Sequence, residues 1–151
     1  MQDNAIQDQY PEAFNHCFGC GQLNPMGHQL RTYLQGEETI SKFTPEPHHT
    51  ALPGYVYGGL IASLIDCHGT GTAAWQAAQS GQTQTPRFVT GTLNVTYHHP
   101  TPLGPELILK GRVIEHKGRK ITVEVQLFAG ERCCASGTVV AFGVSEDWNP
   151  E

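Results

Sequence analysis

Pro53-Gly54-Tyr55-Val56-Tyr57-Gly58-Gly59-Leu60-Ile61-Ala62-Ser63-Leu64-Ile65-Asp66 is the stretch on which the reading of this chain turns. A glycine pair opens an apolar run, and Asp66 is the only carboxylate in it. The pattern predicts one long helix over about Gly58 to Gln79, stopped by Ser80-Gly81. Ionised carboxylates are seldom buried without a partner, because leaving water is expensive. An acid on such a helix, eight residues past Gly58, points to a catalytic base or nucleophile.

Working outward, the period of the apolar pattern changes on both sides of the helix. Upstream, Gln29 to Leu34 and Thr39 to Phe43 read as strands separated by a polar turn. Downstream, Val89, Leu93, Val95 and Tyr97 alternate with Thr90, Thr92, Asn94 and Thr96, the signature of a half-buried strand. Pro100 to Gly104 makes a rigid turn, after which Leu107, Leu109 and Val113 mark another strand. Gly118 turns into Ile121, Val123, Val125 and Leu127, and Ala129-Gly130-Glu131 turns into a last strand over about Arg132 to Val144. One helix cannot cover both faces of about six strands. The expected architecture is α+β, a strongly curved antiparallel sheet wrapped around one long central helix. Gly69 and Gly71 in the helix would admit close approach of sheet backbone, at a cost of up to ~1 kcal/mol each against Ala. An open sheet leaves an edge that a second copy would satisfy, so at least a homodimer is expected.

Length and composition narrow the function. At 151 residues the chain suits one domain with a real core. The expected boundaries are a flexible polar arm at 1–15, one domain at 16–145 and a tail at 146–151. A net charge of −5 with scattered Lys and Arg excludes a nucleic-acid surface, since no basic block exists to neutralise phosphates. No apolar run approaches the ~20 residues that span a bilayer. The N-terminus lacks a cationic start and an apolar core, so no signal peptide is expected. The odd set Cys17, Cys20, Cys67, Cys133 and Cys134 does not look like a disulfide framework, and a cytoplasmic location follows.

Several elements together resemble the hotdog-fold thioesterases, in particular the phenylacetate-pathway thioesterase branch and the mammalian acyl-CoA thioesterase superfamily members. They are Pro-Gly-x-x-Tyr-Gly-Gly with the later Asp at 53–66, Cys-Phe-Gly-Cys-Gly at 17–21, Asn24-Pro25-Met26-Gly27, the Pro100 to Gly104 turn, and Gly118-Arg119-Lys120. The resemblance covers about Cys17 to Val144. It implies hydrolysis of an acyl-CoA thioester without a cofactor, in dimers or dimers of dimers, with Asp66 driving attack and the acyl carbonyl held at the helix N-terminus. The physics agrees. The first N–H groups of a helix lack intrahelical acceptors and carry partial positive charge. Gly58 and Gly59 would let a substrate approach that backbone and stabilise charge on the thioester oxygen.

Geometry adds a constraint of its own. Asp66 lies ~12 Å along the axis from Gly58, at 1.5 Å per residue. One carbonyl cannot reach both on a single helix, so a shared site requires two subunits with antiparallel helices about a two-fold axis.

Departures from the family pattern define the remaining candidates. The family usually has His-Gly-Gly, and here Tyr57 holds the histidine's place; a tyrosine hydroxyl can also donate, from a different height. The strand Ser or Thr that assists the carboxylate in relatives corresponds by spacing to Thr90. The position supplying an Asn in some relatives falls near Thr50 or Ala51, leaving His49 as a substitute. Arg119 and Lys120 would contact the phosphates of coenzyme A. Asn24 is a substrate-binding candidate in a loop near the acyl pocket, and Phe88 a lining residue with Leu60 and Trp75.

Each candidate has a plainer alternative: Asp66 a capped buried acid, Tyr57 core filling, Thr90 a routine strand residue, Arg119 and Lys120 a solvated turn. The pairs His48-His49 and His98-His99 invite a metal reading, but His98 and His99 are poor joint ligands, because adjacent strand residues point to opposite faces. Cys17-x-x-Cys20 lacks a second ligand pair for zinc, so no metal is expected. His68, two residues past Asp66, reads as packing. The alternatives to hydrolysis are an acyl-CoA binding module without turnover, which Tyr57 favours, and a hotdog dehydratase, whose Asp and His signature is absent.

Overall fold

The computed structural model describes residues 3–82 and 86–149. The outermost two residues of the expected arm and of the expected tail lie outside these. In chain order the elements are β1 (Thr32–Gln35), β2 (Glu38–Phe43), α1 (Gly58–Gln79), β3 (Arg87–Tyr97), β4 (Leu107–Lys117), β5 (Lys120–Ala129) and β6 (Arg132–Val144). Among the described residues the strands form one antiparallel sheet in the order β1-β2-β4-β5-β6-β3. The sheet packs around α1, as the pattern of one helix and six strands requires.

The alternation on each strand decides which face is dry. Leu107 and Leu109 on β4, Ile121, Val123, Val125 and Leu127 on β5, and Ala135, Val139 and Ala141 on β6 are fully buried against Leu64 and Ile65 of α1. Complete burial of a Val, Leu or Ile side chain contributes ~1.5–3 kcal/mol, so this face holds the sheet to the helix. Gly69 gives the close approach expected of it: a Cβ there would lie 2.5 Å from Val139 of β6. Gly71 serves another neighbour. Its Cβ would meet the Gln7 side chain at 2.9 Å, so it makes room for the N-terminal segment.

That segment corrects an expectation. Residues 1–15 read as a loose arm with a short helix near Pro11 to Phe14; Glu12–Phe14 is a 3-10 turn there, but Ile6–Gln9 forms another, and Ala5, Ile6, Gln7 and Tyr10 are buried. The Gln7 side chain accepts the Thr32 backbone N–H at 2.8 Å and donates to the Thr32 hydroxyl at 3.1 Å. A side-chain amide thus does for the start of edge strand β1 what a neighbouring strand would do. Isolated apolar residues in a polar run carry no periodicity, which hid this docking.

Strand β1 also begins later than the pattern suggests. Gln29 has a φ of +52°, a left-handed conformation that no strand continues through. Residues 28 and 30 instead donate to the carbonyls of Phe18 and Gly19.

His68 is packing, as expected, and of a polar kind. It is fully buried; Nδ1 bonds the Ser41 hydroxyl at 2.7 Å and Nε2 the Thr39 hydroxyl at 2.9 Å. Thr39 also bonds Thr72 at 2.6 Å. Burial pushes the His68 pKa down to about 3, so the ring is neutral and its partners satisfy both nitrogens.

Candidate active site

Asp66 stands half-buried on α1, facing β3. The Thr90 hydroxyl donates to its Oδ1 at 2.5 Å. Burial raises the Asp66 pKa above the ordinary carboxylate value, and the Thr90 hydrogen bond pulls partly the other way. The strand is shaped for this contact. The pairing of β3 with β6 shifts register between Thr90 and Thr92, and bulges of this kind re-aim side chains. Gly91 sits at the bulge, where a Cβ would run into the Phe142 ring at 2.4 Å.

The other half of the site is the start of α1. Tyr57 is its N-cap residue and makes no side-chain cap. The Tyr57 carbonyl takes the N–H groups of Leu60 and Ile61, which leaves those of Gly58 and Gly59 without an intrahelical acceptor. The Tyr57 backbone N–H is held by the His49 carbonyl at 2.9 Å. The Tyr57 ring is exposed and leans over Gly59, whose place no Cβ could take without meeting that ring at 2.4 Å.

A cavity of about 630 Å³ opens at this end of the helix, lined in part by Phe18, His28, Phe43, His49, Tyr57, Gly59 and Leu60. Asp66 is not among its lining residues. His49 packs its ring against His48 and His28 and accepts the Glu46 N–H at Nδ1. Burial, then His48, lowers the pKa of His49.

The other sequence candidates scatter. Asn24 is committed within its own loop: its amide donates to the His16 carbonyl and accepts the Met26 N–H. Phe88, expected to line the acyl pocket, is 1 % exposed and belongs to the core, because its position on β3 faces inward under α1. Arg119 is exposed in the two-residue turn between β4 and β5, where Gly118 has a φ of +58°. Lys120 pairs loosely with Glu115 at 3.9 Å. The Gln82 side chain donates to the Gly118 carbonyl, which places that turn by the C-terminal end of α1, far from Gly58 of the same chain.

Two residues near the site escaped the sequence reading. The Tyr97 hydroxyl donates to the Gly58 carbonyl at 2.7 Å, tying the end of β3 to the helix start. Cys67 meets Cys17 and Cys20, their sulfurs all within 4.8 Å of one another. Strand alternation flagged Tyr97 only as an apolar position, and no local signal links residues 50 apart.

A curved antiparallel sheet wrapped around a single helix, with an acid mid-helix and glycines at the helix start, defines a hotdog-fold protein. Residues 53–135 match the family described as the thioesterase superfamily, and the chain belongs to that superfamily. A crystal structure of a thioesterase superfamily protein from Shewanella loihica PV-4 is 49% identical, with a TM-score of 0.68 over 87% of this chain and 96% of that one. A phenylacetic acid degradation-related protein from Ralstonia eutropha, 14% identical, shares the fold with a TM-score of 0.64 over 76% of this chain and 85% of its own. The acyl-coenzyme A thioesterase THEM4 of Mus musculus is 33% identical over 87 residues, 58% of this chain. The matched stretch is 34% of THEM4, so the likeness spans about a third of that relative. No helix among the described residues is long and apolar enough to cross a membrane.

Proposed function

We propose that the protein hydrolyses an acyl-coenzyme A thioester to the free acid and coenzyme A. The observation that carries this reading is the Asp66–Thr90 pair: a partly desolvated carboxylate, its pKa raised by burial, with one oxygen held by a hydroxyl. Burial raises the proton affinity of such a group, which suits it to act as a general base. Asp66 takes a proton from water while the oxygen attacks the thioester carbon. The carbonyl electron pair moves onto its oxygen, where the N–H of Gly59, with Gly58, stabilises it. Collapse of the intermediate expels the coenzyme A thiolate, which takes the proton held by Asp66 and so regenerates the carboxylate. Direct attack by Asp66, giving an anhydride that water then opens, uses the same residues.

Asp66 and Gly59 lie on one continuous helix, so each site draws Gly58 and Gly59 from one subunit and Asp66 and Thr90 from another. Strand β3 is at the sheet edge, and Thr90, Thr92 and Asn94 on it are exposed. A second copy pairing there would cover the Asp66–Thr90 pair and form the dimer, alone or within a tetramer. Arg119 and Lys120, with the cavity beside His49, would hold the coenzyme.

A second reading, acyl-CoA binding without turnover, is favoured by the Tyr57 ring over Gly59, which narrows access to the N–H donors. A thiol-release assay over short, long and aromatic acyl-CoAs, run beside Asp66→Asn, separates the two. Hydrolysis predicts turnover that falls ~10²–10⁴-fold in Asp66→Asn. Thermal denaturation checks that the variant is folded. A carboxylate whose folded pKa is raised contributes stability at low pH and loses it as pH rises through the folded value, so Asp66→Asn keeps or raises Tm at neutral pH. Full turnover in a folded Asp66→Asn would refute the assignment; binding with no turnover in the wild type would establish the second reading.

A further inference from the structure

Cys17 and Cys20 lie in the loop that precedes β1, and Cys67 lies on α1, directly after Asp66. The loop rests on the helix because residue 19 is glycine: a Cβ there would fall 2.3 Å from the Cys67 sulfur. The three sulfurs lie within 4.8 Å of one another, and Cys17 Sγ and Cys67 Sγ are 3.8 Å apart. Zn–S bonds of ≈ 2.3 Å in a tetrahedron put neighbouring sulfurs about 3.8 Å apart. Sulfurs joined as a disulfide would be much closer, at ≈ 2.05 Å, and all five cysteines are free.

The surroundings suit an ion. Arg87 donates to Cys20 Sγ at 3.6 Å, and its guanidinium stacks 4.6 Å above the Tyr10 ring. Three thiolates and one Zn²⁺ sum to a single negative charge, which Arg87 offsets; buried charge needs this kind of pairing. The Tyr10 hydroxyl is buried with no hydrogen-bond partner among the described residues. Arg87, which bridges the Tyr10 ring and the Cys20 sulfur, sets Tyr10 beside the cluster. The Gly19 backbone N–H points to the Cys17 sulfur at 3.4 Å.

We infer that Cys17, Cys20 and Cys67 form a three-thiolate site for a zinc ion, with water in the fourth position hydrogen-bonded to Tyr10. The site pins the N-terminal loop to the helix beside Asp66. It stands independently of the hydrolase reading, and its test reads no turnover.

The full chain, purified under reducing conditions, is dialysed against Zn²⁺ and assayed for bound metal, and Co²⁺ is substituted as a spectroscopic probe. One zinc per chain is expected, together with thiolate-to-cobalt charge-transfer absorption in the near ultraviolet. Cys17→Ser should weaken the band and lower affinity at least ~10-fold, whereas Cys133→Ser should do neither. In the wild type, zinc should protect Cys17 from iodoacetamide and leave Cys133 as reactive as before. The assignment is overturned by substoichiometric zinc after dialysis, by a cobalt spectrum that Cys17→Ser leaves unchanged, or by equal alkylation of Cys17 with and without zinc. Loss of the ion in His49→Ala would also overturn it, by moving the metal to the exposed Glu46, His48 and His49 group.

Discussion

Mixing two inactive variants should restore activity, because the proposed site takes its halves from different chains. Gly59 and Asp66 are seven residues apart on one unbroken helix, ~10 Å along the axis. A thioester carbonyl is far too small to hydrogen-bond at one point and be attacked at the other. In Gly59→Ala the new Cβ collides with the Tyr57 ring at 2.4 Å. That ring is exposed and can swing aside, but then it and the methyl both obstruct the N–H donors. The helix itself gains up to ~1 kcal/mol from alanine. Losing an oxyanion donor costs ~10²–10³ in kcat, and losing the base in Asp66→Asn ~10²–10⁴, so each variant alone retains about 1 % or less. A mixed dimer has one site with both defects and one with neither. Random exchange makes half the dimers mixed, so about one quarter of wild-type activity should return. The assay is thiol release after the two proteins, carrying different tags, are unfolded together and refolded. If mass spectrometry shows mixed dimers and activity stays at the parental mean, both groups act within one chain and the two-subunit site is wrong.

Two further outcomes follow from side chains already described. Thr90→Val removes a hydrogen bond that lowers the Asp66 pKa, so the acid limb of kcat/KM should move to higher pH. A bond to a charged group contributes ~1.5–3 kcal/mol, and at a half-exposed site the lower figure applies, about tenfold at acidic pH. Activity should recover toward wild type at alkaline pH; equal loss at every pH would mean that Thr90 acts only structurally. His68 has a folded pKa of about 3, depressed by burial from 6.5. Its neutral form contributes stability above the unfolded value, and this is lost as pH falls from there toward the folded value. At 1.36 kcal/mol per pKa unit the full effect is on the order of 5 kcal/mol. Tm should therefore drop between pH 7 and 4, and more shallowly in His68→Gln; parallel curves would rule out His68 as the source.

The sequence by itself determined the periodic elements of this protein and the acid among them. Apolar alternation and the 3.6-residue period are local properties, so α1 from Gly58 to Gln79 and the strands around it were legible without a fold. Asp66 stood out because an acid on an apolar helix must find a partner, and the resemblance to the hotdog-fold thioesterases implied that partner at Thr90. What distant segments do to each other was not legible. Tertiary structure alone docked Ile6 and Tyr10, bent the chain at Gln29 so that β1 starts late, and turned Phe88 into the core. It alone tied the Tyr97 hydroxyl to the Gly58 carbonyl and brought Cys67 to Cys17 and Cys20. Each of these depends on which surfaces remain free after the sheet closes around the helix. Burial of one apolar face selects that closure for the chain as a whole, and no short window of residues contains it.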